Sequence, residues 1–261
     1  MNISGIEIES NKVSTLHSLD GRIKIISSML IIVYAVYTTD LIVLFIMGLY
    51  LIMLILMSHI SLSYVFKRIA LILPFGGIIA LFQLFIKEGT VLYMLPFGIE
   101  ITQQGLDFGL LLLSRIIVCV TAIVLLSSVT PIQELINSAR KLGVPHEFSM
   151  LLSLTLRYLF FFYEELKRIH NAQKTRCFDI RSKKTAYMWK LKIVGETIGM
   201  IFLRSYEQGE KVYFSMLSRG YSESSNLYKD NKKLNVKDYS FIAITLSLIL
   251  GLEIIRYFSV I

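Results

Sequence analysis

The chain has 261 residues, is 54% hydrophobic and carries a formal net charge of +8, which excludes an ordinary soluble domain and points to a polytopic membrane protein. In such a protein a basic excess marks cytoplasmic loops before it marks nucleic-acid binding. The two cysteines, Cys119 and Cys177, give neither a disulfide framework nor a metal-site spacing.

The first 22 residues are polar, and the apolar run after them lacks a small-residue cleavage site, so no signal peptide is expected. A bilayer core of about 30 Å takes roughly 20 apolar residues in a helix. Segments 23–39 and 41–57 are two such runs, divided by Thr38, Thr39 and Asp40. Asp40 belongs at a water interface. Segment 69–86 is the third, and Pro74, Gly76 and Gly77 within it predict a kink or a close helix contact. A loop over 87–105 carries Pro96, Gly98 and Gly105. Segment 106–129 is the fourth run. Its Arg115 follows Asp107 by eight positions, roughly 12 Å along a helix. A charge at that depth meets another helix or a partner subunit, or else snorkels to the interface. Segment 239–258 is the last run.

Between the fourth and last runs the character changes. In TPIQELINSARKLGVP (130–145) Thr130 is the expected N-cap, Pro131 the first helical position and Gln133 the partner in a capping box. Ile132, Leu135, Ile136, Ala139 and Leu142 share a face, and Gly143 and Pro145 stop the helix. From Glu147 a helix is predicted through Arg176, first aromatic and then charged; 30 residues span about 45 Å. Segments 148–163 and 187–206 contain Arg157, Lys190, Lys192, Glu196 and Arg204 and read as membrane-edge helices, with a sixth span as the alternative. Adjacent Glu164 and Glu165 point to different faces and are expected to form solvated ion pairs with Lys167 and Arg168. In LRSYEQGEKVYFSMLSRGY a second helix ends at Arg219, with Gly220 placed for a left-handed C-cap. The macrodipole favours a cation there, by roughly 0.3–1 kcal/mol. Two such arginines also suit bidentate pairing with carboxylates of a partner.

Nineteen of the 27 Lys and Arg residues lie between Pro131 and Asp238. With Lys12, Arg22, Lys24, Lys67 and Arg68 they fall on one side if five helices span. The amino terminus is then cytoplasmic and the carboxyl terminus outside. The expected organisation is a four-helix membrane region over 1–130, a cytoplasmic coupling region of long amphipathic helices over 131–238, and a final span over 239–261. No GxxxxGK[ST] and no HExxH occurs. His17, His59, His146 and His170 form no i, i+4 pair, so no metal site and no catalytic residue is expected.

Four stretches together carry a resemblance. LHSLDGRIKII (16–26), SRIIVCVTAIVLLSSVTPIQELINSARKLGVP (114–145), LRYLFFFYEELKRIHNAQKTR (156–176) and RSYEQGEKVYFSMLSRGY (204–221) resemble, in that order, the transmembrane coupling component of energy-coupling-factor ABC transporters, the CbiQ/EcfT family. The second arm is more similar to the cobalt/nickel branch. The resemblance implies that Thr175-Arg176-Cys177 and Ser218-Arg219-Gly220 stand where the family has Ala-Arg-x tripeptides that dock into two cytoplasmic ABC ATPase subunits. Thr and Ser replace the alanine; both are small.

It further implies an all-α protein of the cell membrane that is no enzyme and binds no cofactor. ATP and Mg would act in the partner ATPases, and a separate membrane subunit would capture cobalt or nickel. A shared component of a vitamin transporter is the alternative within the family. A membrane-embedded enzyme would need clustered carboxylates or histidines at one membrane face, and none is found; a channel or secondary transporter would need internal repeats and charged residues lining a midplane path, for which only Arg115 qualifies.

Overall fold

The computed structural model describes residues 16–58, 60–86, 90–95, 99–176, 178, 186–222 and 234–260. Among them run eight helices: α1 (Gly21–Tyr37), α2 (Leu41–Met57), α3 (Leu62–Ile86), α4 (Gln103–Val129), α5 (Ile132–Lys141), α6 (His146–Thr175), α7 (Tyr187–Ser218) and α8 (Val236–Val260). A short hairpin, β1 (Val91–Leu95) and β2 (Ile99–Thr102), lies between α3 and α4. The architecture is that of an all-α membrane protein. Helices α3, α4 and α8 contain stretches long and apolar enough to cross a membrane, and α2 is a shorter apolar helix.

Local physics accounts for most boundaries. Asp20 caps α1 by accepting from the Arg22 amide at 3.0 Å, and Thr102 caps α4 by accepting from the Gly105 amide at 3.2 Å. Gly143, with φ +110°, ends α5 in a left-handed residue as its position predicts.

Four expectations change. The 87–105 loop contains the antiparallel hairpin, with Leu95 opposite Ile99 and Val91 opposite Thr102. Helix α3 starts at Leu62 rather than at residue 69, so Lys67 and Arg68 are helical, and it continues through Pro74. Neighbouring helices in a membrane bundle tolerate such a proline. Thr130 is the C-cap of α4, and Pro131, in an extended conformation, precedes α5 without any side-chain cap bond. The capping box is therefore absent, and the first turn of α5 carries Glu134 instead. Finally, 187–206 and the second arm are one continuous helix, α7, of 32 residues.

Two compact units divide the chain: one holds α1–α5 and α8, the other α6 and α7. In the first, Leu44, Met47, Leu51 and Ile55 form the fully buried stripe of α2, whereas Ile42 and Phe45 on other faces are 74% and 65% exposed. A helix apolar all round packs one face into the bundle and offers the rest to lipid. Lipid tails are as apolar as leucine, so packing and polar ties hold such helices together. At Gly76 a Cβ would stand 3.1 Å from Ile116, the close α3–α4 approach that the small residues of α3 predict.

Helix α8 is tied to α1 at both ends. At its start, Asp238 accepts from the Asp20 amide at 3.0 Å and from the Asn235 amide at 2.8 Å. Near its end, Tyr34 donates to Glu253 at 2.9 Å, and Arg256 pairs with Asp40 at 3.1 Å and donates to Thr39 at 3.2 Å. Start meets start and end meets end, so the two helices run parallel.

Candidate functional site

The second unit is an antiparallel pair. Glu165 of α6 pairs with Arg204 of α7, Gln173 donates to Thr197 at 2.7 Å, and Phe178 packs edge-to-face on Trp189 with ring centroids 5.1 Å apart. Glu165 is only 13% exposed and also lies 3.7 Å from Arg168. The ion pair with Arg168 expected from the sequence is therefore present, but Glu165 is half-buried rather than solvated, because α7 brings Arg204 against it. Towards the start of α6 the helices diverge around an apolar groove of about 640 Å³, lined by Leu154, Tyr158, Phe162, Val212 and Met216 among others. Both helices are amphipathic, and this groove is where their apolar faces turn towards each other.

The two arginines of the sequence sit at the free ends of this pair. Thr175 is the last residue of α6, Arg176 forms the following turn, and Arg219 is the C-cap of α7. Both arginines are exposed. Cys177 lies outside the described residues.

The two ends share their bonding. Two positions after each arginine an aromatic residue donates its amide to the carbonyl three positions before it: Phe178 to Gln173 at 3.0 Å, and Tyr221 to Met216 at 3.0 Å. This is the longer bond of a Schellman motif. The second arm completes the motif with Gly220 to Leu217 at 2.9 Å, and Gly220 has φ +78°.

The hydroxyl before each arginine also turns back on its own helix. Thr175 donates to the Ala172 carbonyl at 2.8 Å, and Ser218 to the Ser215 carbonyl at 3.1 Å. With that hydroxyl satisfied, each residue offers a partner a small and largely apolar surface.

Sequence numbers convert the geometry into a span. Gln173 faces Thr197, so Arg176 lies beside residue 194, and Arg219 is 25 residues further along α7. At 1.5 Å per residue the tips stand roughly 37 Å apart. A guanidinium on each free end, held by an ordered C-cap, can pair with a carboxylate through two parallel bonds. The separation suits two separate sites. Gly220→Val forces a branched residue into the left-handed region, at a cost of about 1–2 kcal/mol. Hydrogen exchange is expected to show about tenfold less protection of the 220 and 221 amides, with Gly220→Ala intermediate.

Arg115 has a place in the first unit. Its guanidinium donates to the Thr38 carbonyl at 2.7 Å, closing the end of α1 from within α4. Sequence reading missed Glu134, Asp238 and Gly21, whose partners lie far away along the chain. The visible trace was the charged entry motif itself: Asp20 caps α1, and Lys24 reaches back to the His17 carbonyl at 3.2 Å. Among the described residues no group of three or more His, Cys, Asp and Glu is gathered as a metal site.

The fold and these tips define a helical membrane protein with an exposed arginine at each free end of one antiparallel helix pair. Comparison with known proteins gives the family. Residues 12–229 match the family described as CbiQ, cobalt transport protein, and the chain belongs to that family. Similar proteins include MJ1571 of Methanocaldococcus jannaschii, 30% identical over 87% of this chain and 78% of its own length. The energy-coupling factor transporter transmembrane protein EcfT of Streptococcus equi is 28% identical over 92% of this chain and 91% of its own. That of Bacillus subtilis is 25% identical over 84% and 85%.

Proposed function

We propose that this chain is the energy-coupling membrane subunit of an ABC-type importer of the energy-coupling-factor class. It carries out no chemistry itself and binds no cofactor. Two cytoplasmic ATPase subunits each grip one arginine tip, and ATP and Mg act in them. Their closure swings α6 and α7, and that swing reorients a separate membrane subunit that has captured the substrate, a two-state element biased from one end. The observation that carries this reading is the pair of like-built arginine tips, roughly 37 Å apart on one antiparallel helix pair.

Five spans fit this role, with the amino terminus in the cytoplasm. The parallel run of α1 and α8 supports that count, since three crossings between them leave both pointing the same way, whereas a sixth span reverses α8. The cargo proposed is cobalt or nickel, after the family description. A vitamin is the second reading, because capture is left to another subunit and relatives named EcfT match almost the whole chain.

Reconstitution in proteoliposomes tests the function. Radioactive cobalt or nickel uptake is expected only with this chain, an ATPase pair, a capture subunit and ATP together. Uptake by this chain alone overturns the assignment.

A further inference from the structure

Helix α5 is short, and it is fastened to α1 at two points. Lys24 is 5% exposed, an ammonium almost wholly withdrawn from water, and it stands 3.7 Å from Glu134. Glu134 lies in the first turn of α5, where the helix N-terminus favours a carboxylate.

The second point is steric. A Cβ on Gly21 would stand 2.3 Å from the Ser138 hydroxyl and 3.2 Å from the Glu134 carboxylate. Ser138 is itself 4% exposed. Gly21 and Lys24 are three apart on α1, and Glu134 and Ser138 four apart on α5, so each pair shares one helix face. One contact sets how close the helices approach, and the other sets how α5 is rotated. Together they hold α5 in a single seating on α1.

The far end of α5 is equally defined. Gly143 donates to Arg140 at 3.1 Å and Val144 to Ala139 at 3.2 Å, which is a complete Schellman motif. Only residues 142–145 separate α5 from α6.

We propose that Lys24 and Glu134 are positioning residues that fasten α5 to α1, so that α5 transmits the swing of the coupling helices to the cytoplasmic end of the bundle. This rests on the reading above that the arms receive ATPase motion. A buried cation suits the task. Lys24 also bonds the His17 carbonyl on its own side at 3.2 Å, and the Glu134 carboxylate is the charged partner it meets on α5, so parting the two helices separates a buried cation from its counter-charge.

The test uses the full reconstituted transporter. Lys24→Met removes the buried member of the pair with an apolar chain of similar length, so no uncompensated charge stays inside. It leaves Glu134, already 37% exposed, to water, so the variant keeps its fold. ATPase co-purification is expected to stay unchanged and ATP hydrolysis to continue, while cargo moved per ATP falls about tenfold, within the usual range of coupling between sites.

Lys24→Arg, which keeps the cation, is expected to restore transport per ATP to within about twofold of wild type. Unchanged transport per ATP in Lys24→Met overturns the proposal. So does an equal fall in hydrolysis and uptake, which marks a structural role only. Failure of the underlying reading shows separately, as a wild-type chain that does not retain the ATPases.

Discussion

Replacing both Arg176 and Arg219 by alanine is expected to abolish retention of the ATPase subunits while leaving the chain folded. Both side chains are exposed, and the backbone bonds that end α6 and α7 do not involve their guanidinium groups. Surface substitutions of this kind usually leave stability within about 0.5 kcal/mol. At an interface the outcome differs. Truncating one member of a buried charged pair costs enough to weaken binding about 30-fold or more. If the tips act at two separate sites, the single variants each weaken co-purification and the double variant removes it. Lysine at either position keeps the charge but loses the planar fork, and is expected to fall between arginine and alanine. The measurement is affinity co-purification from detergent, with thermal unfolding of the isolated chain as the control. A double variant that assembles and transports like wild type ends the coupling role of these residues.

Asp238→Ala is expected to be the most destabilising of the single substitutions considered. One carboxylate serves two helices: one oxygen takes the Asn235 amide, in the manner of a capping box, and the other takes the Asp20 amide at the entry of α1. Asp238 is 5% exposed and Asp20 8%, so the Asp20 amide gains no water freely in exchange, whereas Asn235 is exposed. The orphaned buried amide costs about 1–3 kcal/mol, and loss of the cap on α8 adds about 1 kcal/mol. Asp238→Asn keeps one acceptor and is expected to lose about half as much. Asp107→Ala, at an exposed position of α4, is expected to change little. Thermal unfolding in detergent followed by size-exclusion chromatography orders the three. Equal stability of wild type and Asp238→Ala contradicts the tie between α1 and α8.

Much of this was written in local patterns. The apolar runs mark the membrane helices because hydrocarbon demands such runs wherever a helix crosses it. Gly143 and Gly220 mark helix ends because a left-handed residue is needed there and glycine adopts it without strain. Arg219 was legible for the same reason, since a basic residue before a C-terminal glycine is a short-range signal; Arg176, followed by Cys177, was legible only as the end of a long helix-like run. The hairpin was not legible. Its residues lie in a stretch read as a loop from Pro96, Gly98 and Gly105, and its strands are only five and four residues long. The start of α5 was misplaced by one residue because Thr130 fits an N-cap by type, yet its backbone closes α4 instead.

By itself the sequence determined the class of protein, the apolar runs and most helix ends, and the residues at the two tips, all properties of neighbours along the chain, whereas the joining of 187–206 and the second arm into one helix was not among them. Only the tertiary structure decided that Glu165 pairs with Arg204, that Lys24 meets Glu134, that Asp238 joins two helix starts and that Arg115 closes α1. Those pairings link residues 39 to 218 positions apart, and charge or polarity alone does not say which distant partner a side chain meets. That choice follows from which helix faces the bundle turns inward, where a buried polar group has to find its bond.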